Sequence, residues 1–116
     1  MVTTGRLGQA AVMNDHIAMI ITSKAASGKR EELFELYTEH LAPRAEANDG
    51  QPVVVWSEDQ HDPDTFYLFE IYRDAETLGA NAQAQWFGEY MAAALPLMAG
   101  EPTVGMANLR WAKGID

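Results

Sequence analysis

Cysteine is absent from the 116-residue chain. That excludes a disulfide framework, a thiolate nucleophile and any metal site built on sulfur ligands. The absence fits a reducing, cytoplasmic setting. Basic side chains are scarce, 8 against 17 acidic ones, for a net charge of −9. A balance this acidic argues against nucleic-acid binding, where a lysine and arginine patch must neutralise phosphates. It argues equally against docking on an anionic membrane surface. No apolar run approaches the ~20 residues that cross a bilayer. Histidines number only three, and no Ser-His-Asp order can be argued from so few. No glycine loop fit for phosphate or dinucleotide is present.

What remains is ordinary globular material. Hydrophobic residues make up 47%, and the length suits one domain with a real core. Residues 1–15 carry one arginine and no apolar stretch, and read as a flexible leader rather than a secretory signal. Met13 offers an alternative start. The domain runs over 16–112, followed by a short tail at 113–116. His16–Thr22 is a short isoleucine-rich run, read as a buried strand. Ser27 is a plausible helix N-cap, with Glu31 and Glu32 in the first turn. Leu33, Leu36, Tyr37, His40, Leu41 and Arg44 recur at spacings of three and four, which predicts an amphipathic helix. Pro43 kinks it or ends its regular part. Asn48–Pro52 is a turn. Val53–Trp56 opens a second strand, Glu58–Asp64 is a polar turn and Phe66–Tyr72 a third strand, together a hairpin. Asp74 caps a second helix, which carries Leu78, Ala82, Trp86, Tyr90 and Met91 and breaks near 82–84. Pro96 and Gly100 end it. Thr103–Trp111 is a last strand.

The order β-α-β-β-α-β is the ferredoxin-like, split-βαβ arrangement: an α+β fold with a four-stranded antiparallel sheet and its helices on one face. In the third strand Phe66, Leu68, Glu70 and Tyr72 point one way and Tyr67, Phe69 and Ile71 the other. Both sets are largely apolar, and helices on one side cannot cover both. The pattern therefore predicts a homodimer formed by packing sheet on sheet, about 10 Å apart.

The segment Phe69–Asn81, FEIYRDAETLGAN, resembles the signature of the antibiotic biosynthesis monooxygenase family. That signature is an acidic residue, any residue, an aromatic, a short acidic turn, a leucine and a helical histidine. Ala25–Lys29 at the exit of the first strand is similar to the family too, as is Asn81–Phe87. The resemblance covers about 16–111. It implies a dimeric α/β barrel and, among other activities of the family, oxidation of a small phenol or hydroquinone by dioxygen with no cofactor and no metal ion. The alternative is a non-catalytic module of the same fold that binds a small ligand or serves dimerisation.

Where the family commonly has tryptophan this chain has Tyr72. Where it has two histidines, this chain has Asn81 and Trp86. Haem-degrading members resemble one another in a first-strand asparagine plus that tryptophan and first histidine; the matching positions here are Ile21, Tyr72 and Asn81. An amide is a poor axial ligand for haem iron, so haem degradation is disfavoured.

A cofactor-free oxygenase needs an apolar aromatic pocket with a few polar groups that help remove a phenolic proton and exclude water. The candidates for catalysis are Tyr72, Asn81, Glu70 and His40. Glu70 sits in a strand among apolar neighbours, where burial raises a carboxyl pKa and makes it a base. The alternative for Glu70 is a structural pairing with Arg73 or Arg110. His40 serves as a base if it faces the sheet; otherwise it is a surface or core histidine. His16 and His61 are unattractive, one opening a strand and the other in a turn. Trp86, Phe87, Trp56 and Tyr37 are the candidates for lining the substrate pocket, against the alternative that they simply fill the core.

Overall fold

A computed structural model describes residues 15–115, so the leader expected over 1–15 lies outside the described residues except for Asp15. The strands are β1 (Ile17–Lys24), β2 (Val53–Glu58), β3 (Thr65–Tyr72) and β4 (Thr103–Asn108). The helices are α1 (Arg30–His40), α2 (Ala42–Ala47), α3 (Ala75–Gln83) and α4 (Gln85–Ala94), with a 3₁₀ turn at Leu95–Leu97. The sheet order is β2-β3-β1-β4, antiparallel throughout. This is the expected α+β ferredoxin-like arrangement. β4 ends at Asn108, earlier than the expected Trp111.

Ser27 does not cap α1. The N-cap is Lys29, with no side-chain hydrogen bond. Gly28 has φ +77°, a left-handed conformation natural to glycine, and it reverses the chain between Ser27 and the helix. Its N–H donates to Asp64 Oδ1 at 3.1 Å, which pins the start of α1 to the β2–β3 turn. Glu31 and Glu32 do occupy the first turn, where the helix dipole favours them. Pro43 ends the regular helix and falls in the first turn of α2, where its missing N–H costs nothing. The second helical pattern breaks at Ala84, whose extended backbone separates α3 from α4.

Asp74 caps α3 as expected. Its Oδ1 accepts from the backbone N–H of Thr77 and from Thr77 Oγ1, both at 2.8 Å. Asp74→Ala leaves the Thr77 N–H without that acceptor. It should cost about 1 kcal/mol, read as a lower urea midpoint at unchanged m-value.

The core lies between the sheet and the helices. Leu33, Tyr37, Phe66, Leu68, Tyr90 and Ala94 are buried there. Trp56 stacks on Phe66 with ring centroids 4.2 Å apart and meets Phe34 and Tyr37 at 5.4 and 5.3 Å. Directly paired residues share a face, so the register defines two surfaces. On the helix side, Ile21 pairs Leu68 and Val104, and Met19 pairs Glu70 and Met106. On the open side, Phe69 lies between Val55 and Ile20. These three are 37%, 45% and 47% exposed, an apolar row across three strands. The helices also stop short of β4: Val104 and Met106 remain 48% and 56% exposed.

Candidate active site: a buried carboxylate in an aromatic cavity

A cavity of about 110 Å³ lies between the sheet and the helices. β1 contributes Met19 and Ile21 to its wall, and β3 contributes Glu70 and Tyr72. Tyr37 and Ala45 approach from α1 and α2, and Leu41 from the junction between them. Leu78, Asn81, Ala82, Trp86 and Phe87 come from α3 and α4, and Gln51 from the turn before β2. The break at Ala84 starts a new helix immediately before Trp86 and Phe87, whose rings meet edge to face with centroids 6.2 Å apart.

Of the residues singled out from sequence, Glu70, Tyr72, Asn81, Tyr37, Trp86 and Phe87 all meet at this cavity. Trp56 and His40 do not line it. Trp56 belongs to the aromatic cluster under α1, and its Nε1–H donates to Glu58 Oε2 at 3.1 Å. His40 is exposed at the last residue of α1. That helix turns Leu33 and Tyr37 inward instead.

Glu70 is buried, and among the described residues no arginine pairs with it. Arg73, one of the two expected partners, instead donates from Nε to the Asp49 carbonyl at 2.7 Å. Glu70 Oε1 accepts from Tyr72 Oη at 2.9 Å and from Gln51 Nε2 at 3.0 Å. Behind Tyr72 the chain continues. Asn81 Nδ2 donates to Tyr72 Oη at 3.3 Å, and Asn48 Nδ2 donates to Asn81 Oδ1 at 3.4 Å. Every donor along this path points toward the carboxylate. Both bonds fall on Oε1, which leaves Oε2 without a hydrogen bond among the described residues.

Burial pushes the Glu70 carboxyl above its ordinary value, and the bonds from Tyr72 and Gln51 only partly oppose it. Burial, with Glu70 nearby, also raises the phenols. Tyr90 is pushed up to about 12, and Tyr37 and Tyr72 are raised as well. The tyrosines therefore stay protonated at neutral pH, and Tyr72 acts as a donor. Glu70 is the carboxyl in this cavity, and burial raises its pKa toward the range a general base requires.

Gln51, Asn48 and Arg44 were not expected at the site. Asn48 and Gln51 belong to a segment with strong turn composition, and nothing local marks Gln51 as the partner of a glutamate 19 residues away. Arg44 extends from α2 over the Trp86 ring, 4.8 Å from its centroid.

The acidic stretch 58–64 is a hairpin turn, as expected. Asp59 Oδ2 accepts from the N–H groups of His61 and Asp62, and Asp62 Oδ1 from that of Asp64. The Tyr67 hydroxyl donates to Asp59 at 2.6 Å, the main cause of an Asp59 pKa lowered to about 2. Among the described residues no group of three or more His, Asp or Glu could hold a metal ion, and no helix is long and apolar enough to cross a membrane.

Residues 16–93 match the family model described as antibiotic biosynthesis monooxygenase. No curated protein matches the chain. Solved structures share the fold. One from Nitrosomonas europaea, provisionally named an antibiotic biosynthesis monooxygenase, superposes with a TM-score of 0.79 at 15% identity, over 87% of this chain and 96% of that one. One from Chloroflexus aurantiacus, with the same provisional name, gives 0.74 at 21% identity over 87% and 99%. A Pseudomonas aeruginosa protein gives 0.73 at 25% identity over 86% and 98%.

Proposed function

Because the chain belongs to the antibiotic biosynthesis monooxygenase family, we propose that its cavity binds a small phenol or hydroquinone and oxidises it with dioxygen. The observation that carries this reading is Glu70: a carboxylate with raised pKa, held by Tyr72 and Gln51 in an aromatic cavity. Dioxygen reacts sluggishly with closed-shell molecules. A phenolate is electron-rich enough to give up an electron where the neutral phenol is not. The protein's task is to take the proton, hold the ring and keep water out.

Glu70 Oε2 receives the phenolic proton, while Oε1 stays anchored by Tyr72 and Gln51. The phenolate passes one electron to dioxygen. The resulting pair combines at a ring carbon to form a carbon–oxygen bond. Protonated Glu70 returns its proton as the oxygen–oxygen bond breaks. One oxygen atom stays on the ring as a quinone carbonyl and the other leaves in water. Phenol plus dioxygen gives quinone plus water, so all the electrons come from the substrate and no outside reductant is needed.

The test is oxygen uptake across a panel of phenols and hydroquinones, with Tyr72→Phe and Asn81→Ala beside the wild type. Tyr72→Phe removes a donor from Glu70 and should cut kcat roughly tenfold with little change in KM. Asn81→Ala acts one bond further away and should cost less. No uptake with any substrate, together with ligand-induced thermal stabilisation, would favour the non-catalytic binding module. The observation favouring that second reading is that no histidine lines the cavity.

We further propose that the working form is a homodimer, with open sheet faces packed together. The row Val55, Phe69 and Ile20 supports this.

A further inference from the structure

Arg44 stands beside the cavity. Among the described residues Lys24, Lys29 and Arg30 each find a carboxylate, at 3.4, 2.9 and 3.4 Å, while Arg44, Arg73, Arg110 and Lys113 do not. The Arg44 guanidinium pairs with none among the described residues. It lies over the Trp86 ring, 4.8 Å from the centroid. Trp86 lines the cavity, as do Leu41 and Ala45 on either side of Arg44 in sequence. Arg44 is itself exposed. The cation therefore sits beside the cavity, over one of its aromatic walls, with no hydrogen bond from its side chain among the described residues.

The cavity's size gives that position a meaning. At about 110 Å³ it is of the same order as an apolar cavity that accepts benzene. One ring fills it, and a polar substituent on that ring must project outward. A guanidinium stacked on an aromatic offers a planar fork of donors, which matches a carboxylate in two parallel hydrogen bonds. The net charge of −9 and the nearby Glu70 both work against an anion, so any preference for one must come from a local cation.

We propose that Arg44 is a specificity residue that selects single-ring phenols bearing a carboxylate. The inference rests on the cavity being an aromatic-binding site, as proposed above. The test is calorimetric titration with 4-hydroxybenzoate and its neutral near-isostere 4-hydroxybenzamide at neutral pH. Wild type should bind the acid about tenfold tighter than the amide. In Arg44→Gln the ratio should fall to near one, with amide affinity unchanged. The amide is the control for an intact cavity, and the advantage of the acid should shrink with added salt. Equal binding of the two probes by wild type would overturn the role of Arg44 while leaving the aromatic site standing. So would a ratio that survives in Arg44→Gln. If neither probe binds, the aromatic site itself fails, and this inference with it.

Discussion

Glu70→Gln should lower kcat by roughly 10²-fold or more while leaving ligand affinity within a small factor, the loss expected when a general base is removed. Glutamine matches glutamate in shape, and its carbonyl oxygen can still accept from Tyr72 and Gln51. The variant therefore removes the proton acceptor and keeps the architecture. A structural role would give the opposite pattern, unchanged kcat with altered stability. The pH dependence separates the two further. Burial raises the Glu70 pKa above 4.5, and the base works only when ionised. Wild-type kcat/KM should therefore rise with pH through that elevated value, and the residual rate of Glu70→Gln should lack the step.

Stability should move the other way. With the folded pKa above the unfolded one, the native state holds the Glu70 proton more tightly. Between the two values the folded chain binds more protons, so stability falls as pH rises through that window and then levels off. Relative to wild type, Glu70→Gln should gain stability at neutral pH, and the gain should vanish below the unfolded value. Urea midpoints at matched pH measure it. A gain that grows as pH falls would mean that burial does not control this carboxyl.

Phe69→Lys should convert the proposed dimer to monomer. Phe69 lies at the middle of the open apolar row, between Val55 and Ile20, and is 37% exposed in the isolated chain. A lysine there can reach water in a monomer, so the fold should survive. Between two packed sheets the same ammonium is desolvated without a partner, and two-fold symmetry brings a second one near it. Such a buried, unpaired charge costs about 3–5 kcal/mol, which weakens association by about 10³-fold. Light scattering should give twice the 12.8 kDa chain mass for wild type and the single chain mass for Phe69→Lys. Glu31→Lys, on the exposed first turn of α1, should leave the mass doubled. A wild type that runs as a monomer at micromolar concentration would remove the dimer.

Much of this architecture is written in local pattern. The isoleucine-rich β1, the two-sided β3 and the Asp74 cap each follow from neighbours within a few residues. Local pattern fails where the deciding contact is distant. Ser27 has the chemistry of a cap, but a left-handed Gly28 tied to Asp64 moves the helix start past it. His40 keeps the three-and-four spacing from Tyr37, yet α1 ends there and leaves it in solvent. Spacing gives the period of a helix without its last inward turn. Trp56 illustrates a related ambiguity: an aromatic on the core face lines a pocket or fills space depending on what lies opposite, here Phe66 and Phe34. Glu70 was visible as an acid in an apolar strand. Its partner Gln51 was not, because strand pairing and the turn before β2 join positions that composition leaves unrelated. The contact between Arg44 and Trp86 joins α2 to α4, which no single-helix pattern encodes.

Oxidation under ¹⁸O₂ in unlabelled water tests the proposed chemistry most directly. Metal-free protein, given a phenol it turns over, should consume dioxygen one-to-one with substrate and yield a quinone carrying one ¹⁸O atom, with the second in water. A quinone with no label, formed alongside hydrogen peroxide, would mean that the cavity only passes electrons to dioxygen. No oxygen consumption at all would leave Glu70 with no phenolic proton to take.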